Sequence, residues 1–158
     1  MKMDHPIRGA APVGKLNEFP KWEAELVQNL RLWMDGNEGR SEVWNTYASA
    51  LGKTSATASL NAFERLLLMI DTNMLRPMVR HSVGCRCLGS DEAVFLHLVR
   101  TASAGDLHEA TMIATLIVRS ANAEPLALLA ASVGETLRLL HGNGHHPAPR
   151  TPKAQLLH

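Results

Sequence analysis

The sequence predicts an all-α fold: a compact helical bundle of about six helices, five main and one short, between flexible termini. Three observations predict it. Apolar residues recur at three- and four-residue spacings through most of the chain. No segment sustains a two-residue alternation of apolar and polar positions, and no Asn-Gly or Asp-Gly pair joins two such segments, so little or no sheet is expected. Glycines and capping residues punctuate the apolar pattern at intervals suited to helices.

At the N-terminus, residues 1–18 mix Pro, Gly and charge without a period and read as a flexible N-terminal segment. The single helical domain is expected over residues 19–141. Its first helix runs over residues 20–35, with Pro20 suited to the first turn, Trp22, Leu26, Leu30 and Trp33 on one face, and Gly36 as the stop. Ser41 is expected to cap a short second helix carrying Val43, Trp44, Tyr47 and Leu51, ended by Gly52. The third, over residues 60–76, places Leu60, Phe63, Leu67, Ile70 and Met74 on one stripe before Pro77 breaks it.

A loop follows, and Ser90 then starts a helix with Asp91 and Glu92 at the positive end of its dipole and Phe95, Leu98 and Val99 facing inward. After Gly105, Asp106 and Glu109 form a capping-box pair. The apolar run behind them predicts the most buried helix of the domain. Thr111 and Thr115 on that helix are expected to bond back to its carbonyls. The last helix starts near Pro125, carries Leu126, Leu129, Val133, Leu137 and Leu140, and stops at Gly142. Residues 142–158, with three prolines, read as a flexible tail; its histidines are too loosely placed to form a preorganised metal site.

Charge excludes some functions. The net charge of +1 is carried by the ends, and the body over residues 16–140 is at −3. A mildly acidic body with seven aromatic residues suits neither phosphate neutralisation nor base stacking, so no nucleic-acid partner is expected. The chain opens without a signal peptide's apolar run, and its apolar stretches are too short to span a bilayer, which predicts a cytoplasmic protein with no membrane partner. In a reducing compartment its two cysteines are expected as free thiols or metal ligands.

Chemistry concentrates in one stretch, His81-Ser-Val-Gly-Cys85-Arg-Cys87-Leu-Gly-Ser-Asp91-Glu92. Zinc takes soft or borderline ligands on a tetrahedron, and His81, Cys85 and Cys87 with Asp91 (or His97) supply four. The His-x3-Cys-x-Cys spacing is one residue tighter than the His-x3-Cys-x2-Cys of zinc-binding anti-sigma factors, and nothing else in the chain supports that family. Arg76, Arg80 and Arg86, with the start of the following helix, would instead favour a thiolate.

The expected function is therefore a small regulatory or binding protein whose loop, residues 80–92, holds zinc or senses redox state. One alternative is a thiol-dependent enzyme using Cys85 or Cys87 as nucleophile, and another is a purely structural interaction module with inert, buried cysteines. The apolar excess of the last two helices predicts a homodimer and leaves room for another protein partner. If residues 85–87 are extended, both thiols face one side; in a helical turn they would be splayed.

Overall fold

The computed structural model describes residues 8–142. The tail histidines His145, His146 and His158 lie outside that range, as does most of the tail expected to be flexible. Six helices make up most of the described residues: α1 (Lys21–Met34), α2 (Asn37–Leu51), α3 (Lys53–Asn73), α4 (Ser90–Ser103), α5 (Leu107–Ala114) and α6 (Ala123–His141). Two short strands, β1 (Pro12–Lys15) and β2 (Cys87–Gly89), pair antiparallel as a two-stranded sheet. The helical bundle expected from the sequence is what forms.

The apolar stripes explain how the helices assemble. Leu26, Val27 and Leu30 of α1, Phe63 and Leu66 of α3, Phe95, Leu98 and Val99 of α4, and Leu126 and Leu137 of α6 meet in one core and are inaccessible to solvent. Each such side chain contributes roughly 1.5–3 kcal/mol relative to leaving it exposed. Helix α4 packs on both α5 and α6, while α3 packs on α2 and α6. The aromatic corner is Trp33 edge-on to Phe63, with ring centres 5.5 Å apart.

Several elements differ from expectation for identifiable reasons. Helix α2 is not short: it starts at Asn37, directly after Gly36, whose φ of 114° turns the chain between α1 and α2. Ser41 is not its cap but lies inside it, its hydroxyl donating to the Asn37 carbonyl at 3.0 Å. Helix α3 starts at Lys53, because Gly52 at φ 79° lets one helix stop and the next begin within a residue, and it ends at Asn73, ahead of Pro77.

The expectation that the helix after Gly105 would be the most buried fails. Helix α5 closes at Ala114, and Met112 and Leu116 are 60% and 68% exposed. Asp106 does cap it, accepting from the Glu109 amide at 3.1 Å, but the Asp106 amide bonds to the Thr101 carbonyl rather than to Glu109. Only half of the capping box forms. Thr111 and Thr115 bond back within their own helix, as expected.

Residues 8–18, assigned by sequence to a flexible segment, are built into the fold. Strand β1 covers β2, Leu16 is buried, and the Ala11 carbonyl accepts from the Ser90 amide at 2.9 Å. This segment brings the N-terminal backbone against the cysteine loop.

Candidate functional site

The long connection from α3 to α4, residues 74–89, carries His81, Cys85 and Cys87 and is fastened at both ends by charged side chains from helices. The first fastening is Arg31 of α1, on the same stripe as Val27 and Leu30. Its side chain and that of Glu92, at the start of α4, are both fully buried. Arg31 Nε donates to Glu92 Oε2 at 2.8 Å, and the second fork nitrogen, Nη2, to Oε1 at 3.1 Å. The guanidinium then reaches the loop: Nη1 donates to the Cys85 carbonyl at 2.6 Å and Nη2 to the Cys87 carbonyl at 2.7 Å. Glu92 Oε1 also accepts the His81 amide at 2.9 Å. Every charged group here is paired and hydrogen-bonded, the condition under which a buried ion pair is tolerated.

Those bonds define the backbone between the thiols. The carbonyls of Cys85 and Cys87 both point at Arg31, whereas that of Arg86 accepts from the Leu16 amide at 2.8 Å on the β1 side. Carbonyls that alternate in this way belong to an extended chain, so the side chains of Cys85 and Cys87 share one face. Their exposure agrees: both cysteines are half-buried and free, and Arg86 between them is exposed. Just upstream, Gly84 adopts φ 85°, which turns the loop into this segment. Gly89 has φ −78° and needs no such freedom. Its smallness serves space instead, since a Cβ there would lie 2.9 Å from His81 Cδ2 and 3.2 Å from Glu92 Oε1.

The second fastening is Asp91. Its carboxylate accepts from Arg76 at 2.9 and 2.6 Å and from the Val79 amide at 2.8 Å. Burial alone would raise its pKa, but the hydrogen bonds from Arg76 and Val79 and the Arg76 charge together hold it below the ordinary aspartate value. A Cβ on Gly9 would collide with this carboxylate, so the N-terminal segment needs glycine at its crossing.

The four residues expected as zinc ligands are thus in one neighbourhood with different commitments. His81 Nε2 lies 3.0 Å from the Ala10 carbonyl, and Asp91 is held by Arg76 and Val79. Among the described residues no group of three or more His, Cys, Asp or Glu side chains is placed to hold a metal ion. His97, the alternative fourth ligand, is exposed on α4. Two of the three arginines expected to favour a thiolate are engaged elsewhere: Arg76 holds Asp91, and Arg80 donates to the Met34 carbonyl at 2.9 Å, while Arg86 is exposed.

Sequence reading misses Arg31 altogether and sees Glu92 only as a helix-dipole residue. A signal is present. Glu23, Val27, Leu30 and Arg31 share one face of α1, and Glu92, Phe95 and Val99 share one face of α4, so each apolar stripe carries charge. The structure pairs them reciprocally: Arg100 Nε donates to Glu23 Oε1 at 2.7 Å, as Arg31 does to Glu92. Residues 23 and 31 on α1 and residues 92 and 100 on α4 are each eight apart, about 12 Å along a helix, so the two helices run antiparallel in this register.

Comparison with known proteins gives no match: no family, no curated protein and no solved structure resembles the chain significantly. Among the described residues, no helix is long and apolar enough to cross a membrane.

Proposed function

We propose that this is a small helical regulatory protein whose Cys85-Arg86-Cys87 segment senses redox state. The observation that carries the reading is the grip of one buried guanidinium on the carbonyls of both cysteines, which fixes the backbone while leaving the two thiols half-buried on one face. Extended residues two apart have Cα atoms about 6.6 Å from each other. A disulfide prefers about 5.5–6 Å and reaches roughly 6.8 Å at most. Forming the bond at its preferred span therefore contracts the segment, and contraction pulls at least one carbonyl away from Arg31.

The chemistry balances with a peroxide as oxidant. The two thiols give up two protons and two electrons, the peroxide O–O bond breaks to yield two waters, and an S–S bond forms. The reduced state is the one Arg31 fits, so oxidation is expected to loosen the packing of α1 against α4 and the loop. Thiols held reduced suit a cytoplasmic setting. A twofold dimer through α5 and α6 goes with this reading, because Met112, Leu116 and Leu128 are large apolar side chains left more than half exposed there. Sedimentation equilibrium at micromolar concentration is expected to find the dimer, and a monomer at all concentrations removes that part.

The test of the sensor is titration with hydrogen peroxide, followed by intact mass and thermal unfolding. The expected result is loss of two hydrogens per chain, reversal by dithiothreitol and a lower Tm for the oxidised form. Cys85→Ser and Cys87→Ser should each abolish all three. Stoichiometric zinc in purified protein, or thiols that oxidise only between chains, would overturn the reading.

A further inference from the structure

A cleft of about 470 Å³ opens between the C-terminal half of α1, the C-terminal half of α3 and the start of the long loop. Its lining is largely apolar and rich in methionine, with Leu30, Trp33 and Leu67 beside Met34, Met74 and Met78. Methionine walls adapt to differently shaped apolar groups, a property of surfaces that accept helical segments. Neither thiol lines the cleft.

The exposed face of α3 beside the cleft has an ordered pattern. Glu64, Leu68 and Asp71 follow one another at spacings of four and three residues and so form a single stripe. Leu68 on this stripe is 61% exposed, on the outer face of a helix that already supplies Phe63, Leu66 and Ile70 to the core, and Leu75, two residues beyond the helix end, is 59% exposed. Neither carboxylate has an ion-pair or hydrogen-bond partner among the described residues. The one cation in the lining among the described residues, Arg40, is already engaged, stacked over the Trp33 ring and donating to the Trp33 carbonyl at 3.2 Å. The uncommitted charge around this apolar cleft is therefore negative.

We infer that this cleft is a docking site for a basic amphipathic helix of a partner protein. The occupant follows from chemistry. The cleft has room for two or three apolar side chains from adjacent turns, within the range of ordinary ligand pockets. Glu64 and Asp71 stand seven residues apart, about 10 Å along α3, the distance between Lys or Arg residues two turns apart on a facing helix. Leu68 lies between them to meet that helix's apolar stripe. A small cation would use only one carboxylate, whereas a helix uses both.

The probe is a synthetic 14-residue Leu/Lys peptide with lysines seven residues apart beside a leucine stripe, labelled for fluorescence anisotropy and titrated with the full chain. Binding that weakens with added salt, falls about tenfold in the exposed-site variant Glu64→Lys/Asp71→Lys and falls similarly in Leu68→Ser is the expected result. Both variants alter exposed side chains, and circular dichroism checks their fold. A matched peptide with Glu in place of Lys should bind the wild type at least tenfold more weakly. Equal binding of the two peptides, or loss of neither interaction in the variants, overturns the inference. So does binding that appears only after removal of residues 143–158, which would make that segment the occupant. A protein that fails this test but forms the reversible disulfide leaves the sensor reading standing, and the converse result separates them equally well.

Discussion

Asp91 and Glu92 are neighbours in sequence and do the same work with opposite surroundings. Each accepts two hydrogen bonds from an arginine and one from a loop amide, Asp91 from Arg76 and Val79, Glu92 from Arg31 and His81. Successive residues on a helix point about 100° apart, so at the start of α4 one carboxylate turns toward the rim and the other into the core. The side chains of Arg31 and Glu92 are fully buried, whereas Arg76 is 58% exposed and Asp91 11%. The difference teaches that hydrogen-bond inventory alone does not rank the two anchors. In the core an abandoned partner remains as an unpaired buried charge, whereas at the rim water takes the vacated place.

The largest effect should come from breaking the core pair. Arg31→Met and Glu92→Leu are each expected to cost about 3–5 kcal/mol in urea unfolding, because each leaves the opposite charge buried alone. The double variant should cost clearly less than the sum, since it removes both charges together. It should not return to wild-type stability, because the Cys85 and Cys87 carbonyls and the His81 amide lose their partners as well. An Arg31 variant no less stable than an Arg76 variant would erase the contrast between the anchors.

That contrast marks what is legible in the sequence. Helix stripes such as Leu60, Phe63, Leu67 and Ile70, and stops such as Gly52 and Gly142, are local signals, and the elements they imply are present. The start of α2 escapes local reading because Ser41 has the chemistry of a cap while the turn is made by the left-handed backbone of Gly36. The apolar run after Asp106 implies burial all round, yet α5 lies at the outside of the bundle with one side covered by α4 and α6. In the site, the loop's chemical residues are visible as a cluster, but Arg31 is 54 residues from Cys85 and 61 from Glu92. No periodicity links positions so far apart; only the assembled α1 and α4 do so.

A smaller effect should follow from Asp91→Asn, about 1–2 kcal/mol, since the side chain keeps an acceptor for the Val79 amide but loses the charge that Arg76 grips. This site also predicts a pH dependence. The Asp91 carboxyl is held below its ordinary value of 3.8, so the unfolded chain takes up this proton first as pH falls. The stability it contributes is complete well above pH 3.8 and is lost as pH drops through the lower folded-state value. Urea midpoints measured between neutral pH and the acid limit should show this loss in the wild type and a shallower one in Asp91→Asn. Parallel curves for the two proteins would show that Asp91 titrates alike folded and unfolded.

The smallest effect is expected from Arg76→Ala, at most about 1 kcal/mol, because the exposed guanidinium gives up a solvent-screened pair and Asp91 retains the Val79 amide. Salt sharpens the comparison. At about 1 M salt the screening length falls to about 3 Å, so the wild type loses most of what Arg76 contributes and the variant should become nearly indistinguishable from it. The cost of Arg31→Met should persist under the same conditions, since ions do not reach a side chain with no exposed surface. If the penalties of both variants fell together with salt, Arg31 would be sharing the solvent-screened environment of Arg76, and the loop would have two rim anchors rather than one at the rim and one in the core.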